Sequence, residues 1–107
     1  MKISTKYTKL ESTPSLQVYI EKKFAAIERL VRRFDEEGVV DLVVELARVS
    51  SHHHKGDVYR ASARLSIPKK NFIVKEEGSD ARLTLDHAKD TLKEALERYA
   101  EKLKPKK

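Results

Sequence analysis

Between Val58 and Ile67 the side chains alternate without a break, Tyr59, Ala61, Ala63, Leu65 and Ile67 against Arg60, Ser62, Arg64 and Ser66. A period of two is the signature of a β-strand with one apolar and one polar face, and that apolar face must be covered for the strand to persist in water. Two segments have the shape to cover it. Leu16, Ile20, Phe24, Ile27, Val31 and Phe34 recur at spacings of three and four, and Leu85, Ala88, Leu92, Leu96, Tyr99 and Leu103 do much the same. Each series falls on one narrow stripe of a helix. Half-apolar strands beside two one-sided helices constrain the chain to a two-layer α+β domain.

The remaining elements follow from punctuation. Met1 to Tyr7 reads as a short strand. Thr13-Pro14 starts the first helix, with Thr13 as N-cap and Pro14 at the first helical position, and Asp35-Glu36-Glu37-Gly38 ends it. Val39 to Val49 reads as a strand with Val40, Leu42, Val44 and Leu46 on one face. Pro68 to Asn71 is expected to turn, Phe72 to Glu77 to form the last strand, and Asp80 to cap the second helix. The order is βαβββα. A crossover through the first helix makes strands one and two parallel, and an antiparallel meander follows. Both helices are expected on one face of a four-stranded sheet, leaving the other face to water. Residues 1–104 read as a single domain, with Pro105-Lys106-Lys107 a flexible basic end.

Composition narrows the function classes. Charged residues make up 37% of the 107 and the net charge is +6. A basic balance favours a polyanionic partner, nucleic acid first among them. There is no cysteine, so disulfides and thiolate metal sites are excluded. The first residues lack the apolar core of a signal peptide, and no apolar run is long enough to span a membrane. The expected product is a soluble, intracellular, cytoplasmic protein with no membrane partner.

The charges are not evenly spread. On the first helix Arg29 projects about 180° from the core stripe, Lys22 about 200°, Arg33 about 220° and Arg32 about 120°. Ala25 and Ala26 keep that pole uncluttered, and the acids Glu21 and Glu28 fall to one side. Such a row suits phosphates, and it is also what a solvated helix face looks like. The second helix carries acids on its outer pole. Lys89 and Lys93 lie on one flank, Arg98 and Lys102 with His87 on the other, and the latter flank is the better candidate if it borders the first helix. Lys2 and Lys75, on strands, are expected to matter little. His52-His53-His54 invites a metal reading, but neighbours on an extended chain point apart and no further ligands stand nearby, so no metal and no cofactor is expected. With Lys55 this loop is a candidate RNA contact or a solvated turn. Ser50 and Ser51 beside His52 do not make a catalytic triad, and no carboxylate pair is set up for acid–base work, so an enzyme with a small-molecule substrate is not expected.

Several stretches, in order, carry a resemblance. They are Thr13-Pro14 followed by Tyr19-Ile20-Glu21-Lys22-Lys23, the run Ser50 to Ala61 closing on Gly56-Asp57, and Glu76-Glu77-Gly78-Ser79-Asp80 leading into Leu85-Asp86-His87-Ala88 and Leu96-Glu97-Arg98-Tyr99. From Met1 to Lys104 the chain resembles the short hibernation-promoting factors, in the family of ribosome-associated inhibitor Y and sigma-54 modulation proteins. The resemblance implies a protein that enters the decoding channel of the small ribosomal subunit, contacts rRNA through its helices and stops translation, a monomer when free. Arg82, where the family has an aromatic, and Thr91 and Glu94, where it has basic residues, depart from the pattern; Arg98 and Lys102 match it. The alternatives are a general double-stranded RNA-binding domain, and a protein-interaction regulator whose basic helix meets an acidic surface.

Overall fold

The alternating run Val58–Ile67 forms β3 over its whole length, and the rest of the sheet is organised around it. The structure, a computed structural model, describes residues 2–32, 41–49, 56 and 58–103. Its elements are β1 (Lys2–Thr8), α1 (Pro14–Val31), β2 (Asp41–Val49), β3, β4 (Lys70–Gly78) and α2 (Ala81–Leu103). The four strands lie in chain order. β1 runs parallel to β2, while β2–β3 and β3–β4 are antiparallel. This is the expected βαβββα, α+β arrangement.

Register places like with like. Ile3, Leu42, Leu65 and Phe72 form one cross-strand row, and Thr5, Val44, Ala63 and Val74 the next. Their inward side chains meet Leu16, Ile20, Phe24, Ile27 and Val31 of α1 and Leu85, Ala88, Leu92 and Leu96 of α2 in one core. Both helices therefore cover the same face of the sheet. Tyr99 closes one end, its ring edge-to-face with Phe72 at 5.6 Å and 78°.

Helix starts behave as their capping residues dictate. Thr13 Oγ1 accepts from the Leu16 backbone N–H at 3.1 Å with Pro14 next in line, and Asp80 Oδ1 accepts from Leu83 N–H at 2.9 Å; each satisfies a donor that the first turn leaves unpaired. Two boundaries differ from expectation. The last hairpin turns on Pro68 and Lys69 alone, so that Ile67 pairs with Lys70 and Ser66 with Asn71. Lys69 sits at φ 72, the left-handed conformation a tight turn needs, which returns the chain two residues early. α1 ends at Val31 with Arg32 as C-cap; Phe34, Gly38, Val39 and Val40 lie outside the described residues.

Candidate nucleic-acid interface

Polar contacts on two flanks fix the rotation of α1. Toward β1, Gln17 Oε1 accepts from Thr5 Oγ1 and Tyr7 Oη, each at 2.8 Å, and its amide nitrogen donates to Glu21 at 3.1 Å. Toward α2, the Tyr19 hydroxyl donates to Asp86 Oδ1 at 2.8 Å. Lys23 Nζ lies 3.8 Å from the same carboxylate. The cations of Lys23 and Arg82 stand 5.4 and 5.0 Å from the centre of the Tyr19 ring, within reach of its negative face. Desolvation between the helices, reinforced by the bond to Asp86, pushes the Tyr19 phenol up to about 12. It stays a neutral donor well above physiological pH.

With its flanks tied down, α1 turns its remaining face to solvent. That face carries Lys22 and Arg29, both exposed, with the half-buried Ala25 and Ala26 lying low beside them. Among the described residues no carboxylate pairs with Lys22 or Arg29. Arg32 is exposed as well and pairs with Glu28 at 3.1 Å. An exposed pair of this kind is worth about 0–1 kcal/mol, so it leaves Arg32 available to a stronger anion.

On α2, contact with α1 falls to the flank of Arg82 and Asp86. At 100° per residue that flank continues through Lys89 and Lys93, while Arg98 and Lys102 stand about 150–190° further round. Thr91, on their side, donates to Glu76 of β4 at 2.9 Å. The flank of Arg98 and Lys102 therefore borders β4 and not α1. Arg98 pairs with Glu94 at 2.6 Å, and Lys102 is exposed. Lys22, Arg29 and Arg32 share one helix, whereas Arg98 and Lys102 form a separate basic edge. Arg33 and Lys55, with His52, His53 and His54, lie outside the described residues.

Lys23 and Arg82, which meet across the helices at Tyr19, and Lys89 and Lys93 on the same flank of α2 are not among the RNA contacts expected from the sequence. Periodicity shows Lys89 and Lys93 as one flank, but which flank meets α1 depends on the Tyr19–Asp86 pairing, which no period carries. Lys89 Nζ is 2.5 Å from Asp90 Oδ1, and that hydrogen bond holds the Asp90 carboxyl below its ordinary range. Among the described residues no group of His, Cys, Asp and Glu converges to hold a metal ion. Among the described residues no helix is long and apolar enough to cross a membrane.

A four-stranded sheet backed by two helices, with a basic helix face, defines a small α+β binding domain. The chain belongs to the family described as sigma 54 modulation protein / S30EA ribosomal protein, whose pattern matches residues 3–104. It is thereby a ribosome-associated hibernation or modulation factor, in a family not known for enzymes. The Protein Y N-terminal domain from Thermus thermophilus is similar in structure, with a TM-score of 0.73 at 27% identity, over 92% of this chain and 99% of that one. A ribosomal subunit interface protein from Coxiella burnetii shares the fold, with a TM-score of 0.65 at 17% identity, over 94% and 98% of the two chains. No curated protein matches the chain.

Proposed function

We propose that this protein silences translation by lying in the decoding channel of the small ribosomal subunit, where it occupies the places of mRNA and of tRNA anticodons. The observation that carries the reading is the outward pole of α1, where Lys22 and Arg29 are exposed and unpaired among the described residues. Cations so placed bind phosphates by releasing condensed counterions, and arginine adds a bidentate fork. Arg33 continues the row in sequence. Arg32, Lys55, Arg98 and Lys102 are secondary contacts, the last two reaching a different RNA segment from the β4 side. The partner is rRNA, held through phosphates and shape, by a monomer that needs no cofactor or small-molecule substrate. A ribosome-associated family supports a cytoplasmic location.

The test is a salt titration of binding to small ribosomal subunits by Lys22→Glu/Arg29→Glu/Arg33→Glu. If each cation neutralises about one phosphate, the slope of log K against log salt falls by roughly two to three units. Circular dichroism should match the parent. A folded triple variant that binds and silences like the parent refutes the assignment. Co-sedimentation separates the rivals. An equal preference for any duplex RNA would make this a general double-stranded RNA-binding domain, and a tight acidic protein partner without ribosome binding would make it a protein-interaction regulator.

A further inference from the structure

The helices cover one face of the sheet only. On the other, cross-strand rows run Ser4, Val43, Arg64, Ile73, then Lys6, Glu45, Ser62, Lys75, then Thr8, Ala47, Arg60, Glu77. Val43, Ala47 and Ser62 make low ground on the inner strands, between Arg60 and Arg64 of β3, Glu45 of β2, and Lys6 and Lys75 on the edge strands. Two depressions of about 290 and 340 Å³ lie end to end along it and share Glu45 and Ser62. Lys6, Arg64 and Lys75 line the first; Lys9, Arg48 and Arg60 line the second. Of the acids on this face, Glu77 is paired with Arg60 at 2.7 and 2.9 Å. Glu45, which lines both depressions, accepts from the neutral Thr8 hydroxyl at 2.5 Å and is outnumbered by the cations around it rather than paired with one among the described residues. Lys6, Arg64 and Lys75 have no carboxylate partner among the described residues. At the corner of the trough Lys9 holds φ 59, a left-handed conformation that costs a lysine on the order of 1 kcal/mol.

We propose that this trough is a second RNA-binding surface, which holds the sugar–phosphate backbone of a strand on the side of the molecule opposite α1 and α2. Lys6 and Lys75 stand on the two edge strands, about 14 Å apart at three inter-strand spacings, with Arg64 between. The arrangement suits several successive phosphates better than one small anion. No aromatic ring lines the two depressions, so binding is through the backbone and not by base stacking. A protein partner draws most of its binding energy from side chains seated in well-packed, desolvated pockets, and these depressions are shallow and lined mainly by charged and small side chains. Ile73, 64% exposed on the edge strand, is the one large apolar side chain strongly exposed on this face among the described residues. The inference goes beyond the helix face and makes the domain a wedge with RNA on both sides. It also reverses the expectation that a strand lysine such as Lys75 matters little.

The probe is the purified small ribosomal subunit. Lys6→Gln/Arg64→Gln/Lys75→Gln should fold as the parent does by circular dichroism and lower the salt slope of binding by about two to three units. Lys75→Gln alone should lower it by about one. A photo-crosslinking p-benzoylphenylalanine in place of Ser62, on the floor shared by both depressions, should join covalently to rRNA. A folded triple variant with the parental slope overturns the inference, as does a Ser62 crosslink confined to ribosomal protein, which would assign the trough to an acidic protein surface. The helix-face triple variant separates the two readings. If it loses binding while the sheet variant does not, the trough alone fails; if neither loses binding, the helix-face reading fails too.

Discussion

A β-carbon added to Gly78 would stand 2.7 Å from Thr84 Oγ1. That hydroxyl is not free to move aside, since Thr84 is 1% exposed and donates to the Asp80 carbonyl at 2.6 Å. Gly78 is thus the point where the end of β4 passes under the first turn of α2, and only a residue without a side chain fits. Gly78→Ala should destabilise by about 1–3 kcal/mol in urea denaturation. Combining it with Thr84→Ala should cost less than the sum of the two single changes, because the second removes the clash. Tyr19 offers a second test at this scale. Its phenol keeps its proton in the fold until about pH 12, whereas an unfolded chain releases it near 10. The stabilisation is therefore complete below about pH 10 and is lost as pH rises from there toward 12. Between pH 9 and 11.5 the parent should lose on the order of 1–2 kcal/mol more than Tyr19→Phe, allowing for the part of the ring in water.

At the scale of elements, the core stripe of α2 is the firmest reading. Leu92 is wholly buried among residues of both helices and the sheet. Leu92→Asp should cost several kcal/mol or prevent folding, while Glu101→Ala on the exposed face of the same helix should stay within about 0.5 kcal/mol, both measured by thermal melting. Periodicity made such stripes legible, and capping chemistry made Thr13 and Asp80 legible, because both signals are local. Lys70 and Asn71 read as a turn because they are polar, yet they pair in β4 on a tighter hairpin than composition suggests. Glu76 faces inward by parity with Ala61 and is tolerated because Thr91 reaches it. The basic pole of α1 could be derived from helix phase alone. The inter-helix cluster of Tyr19, Lys23, Arg82 and Asp86 could not, since it depends on which flanks of two distant segments meet. The trough was hidden for the same reason. Its cations come from separate strands, and only the register shows that they share a face.

For the molecule as a whole, the layered design puts cations on two opposed surfaces joined by one core, so a change on either surface can be made without emptying that core. The same design bears on how the chain is made. Three consecutive strands can pair as they emerge, each with the one before it. β1, by contrast, must wait for β2 across the whole of α1, the one parallel junction in the sheet. Leu85, Ala88, Leu92 and Leu96, which close the core over β3, β4 and α1, belong to the last element. Synthesis proceeds from the N-terminus at about 5–20 residues per second, so for seconds the inward faces of β3 and β4 and the side of α1 that α2 will meet have no lid. The fold locks only when α2 arrives, and an incomplete chain is therefore the form most exposed to proteases and chaperones.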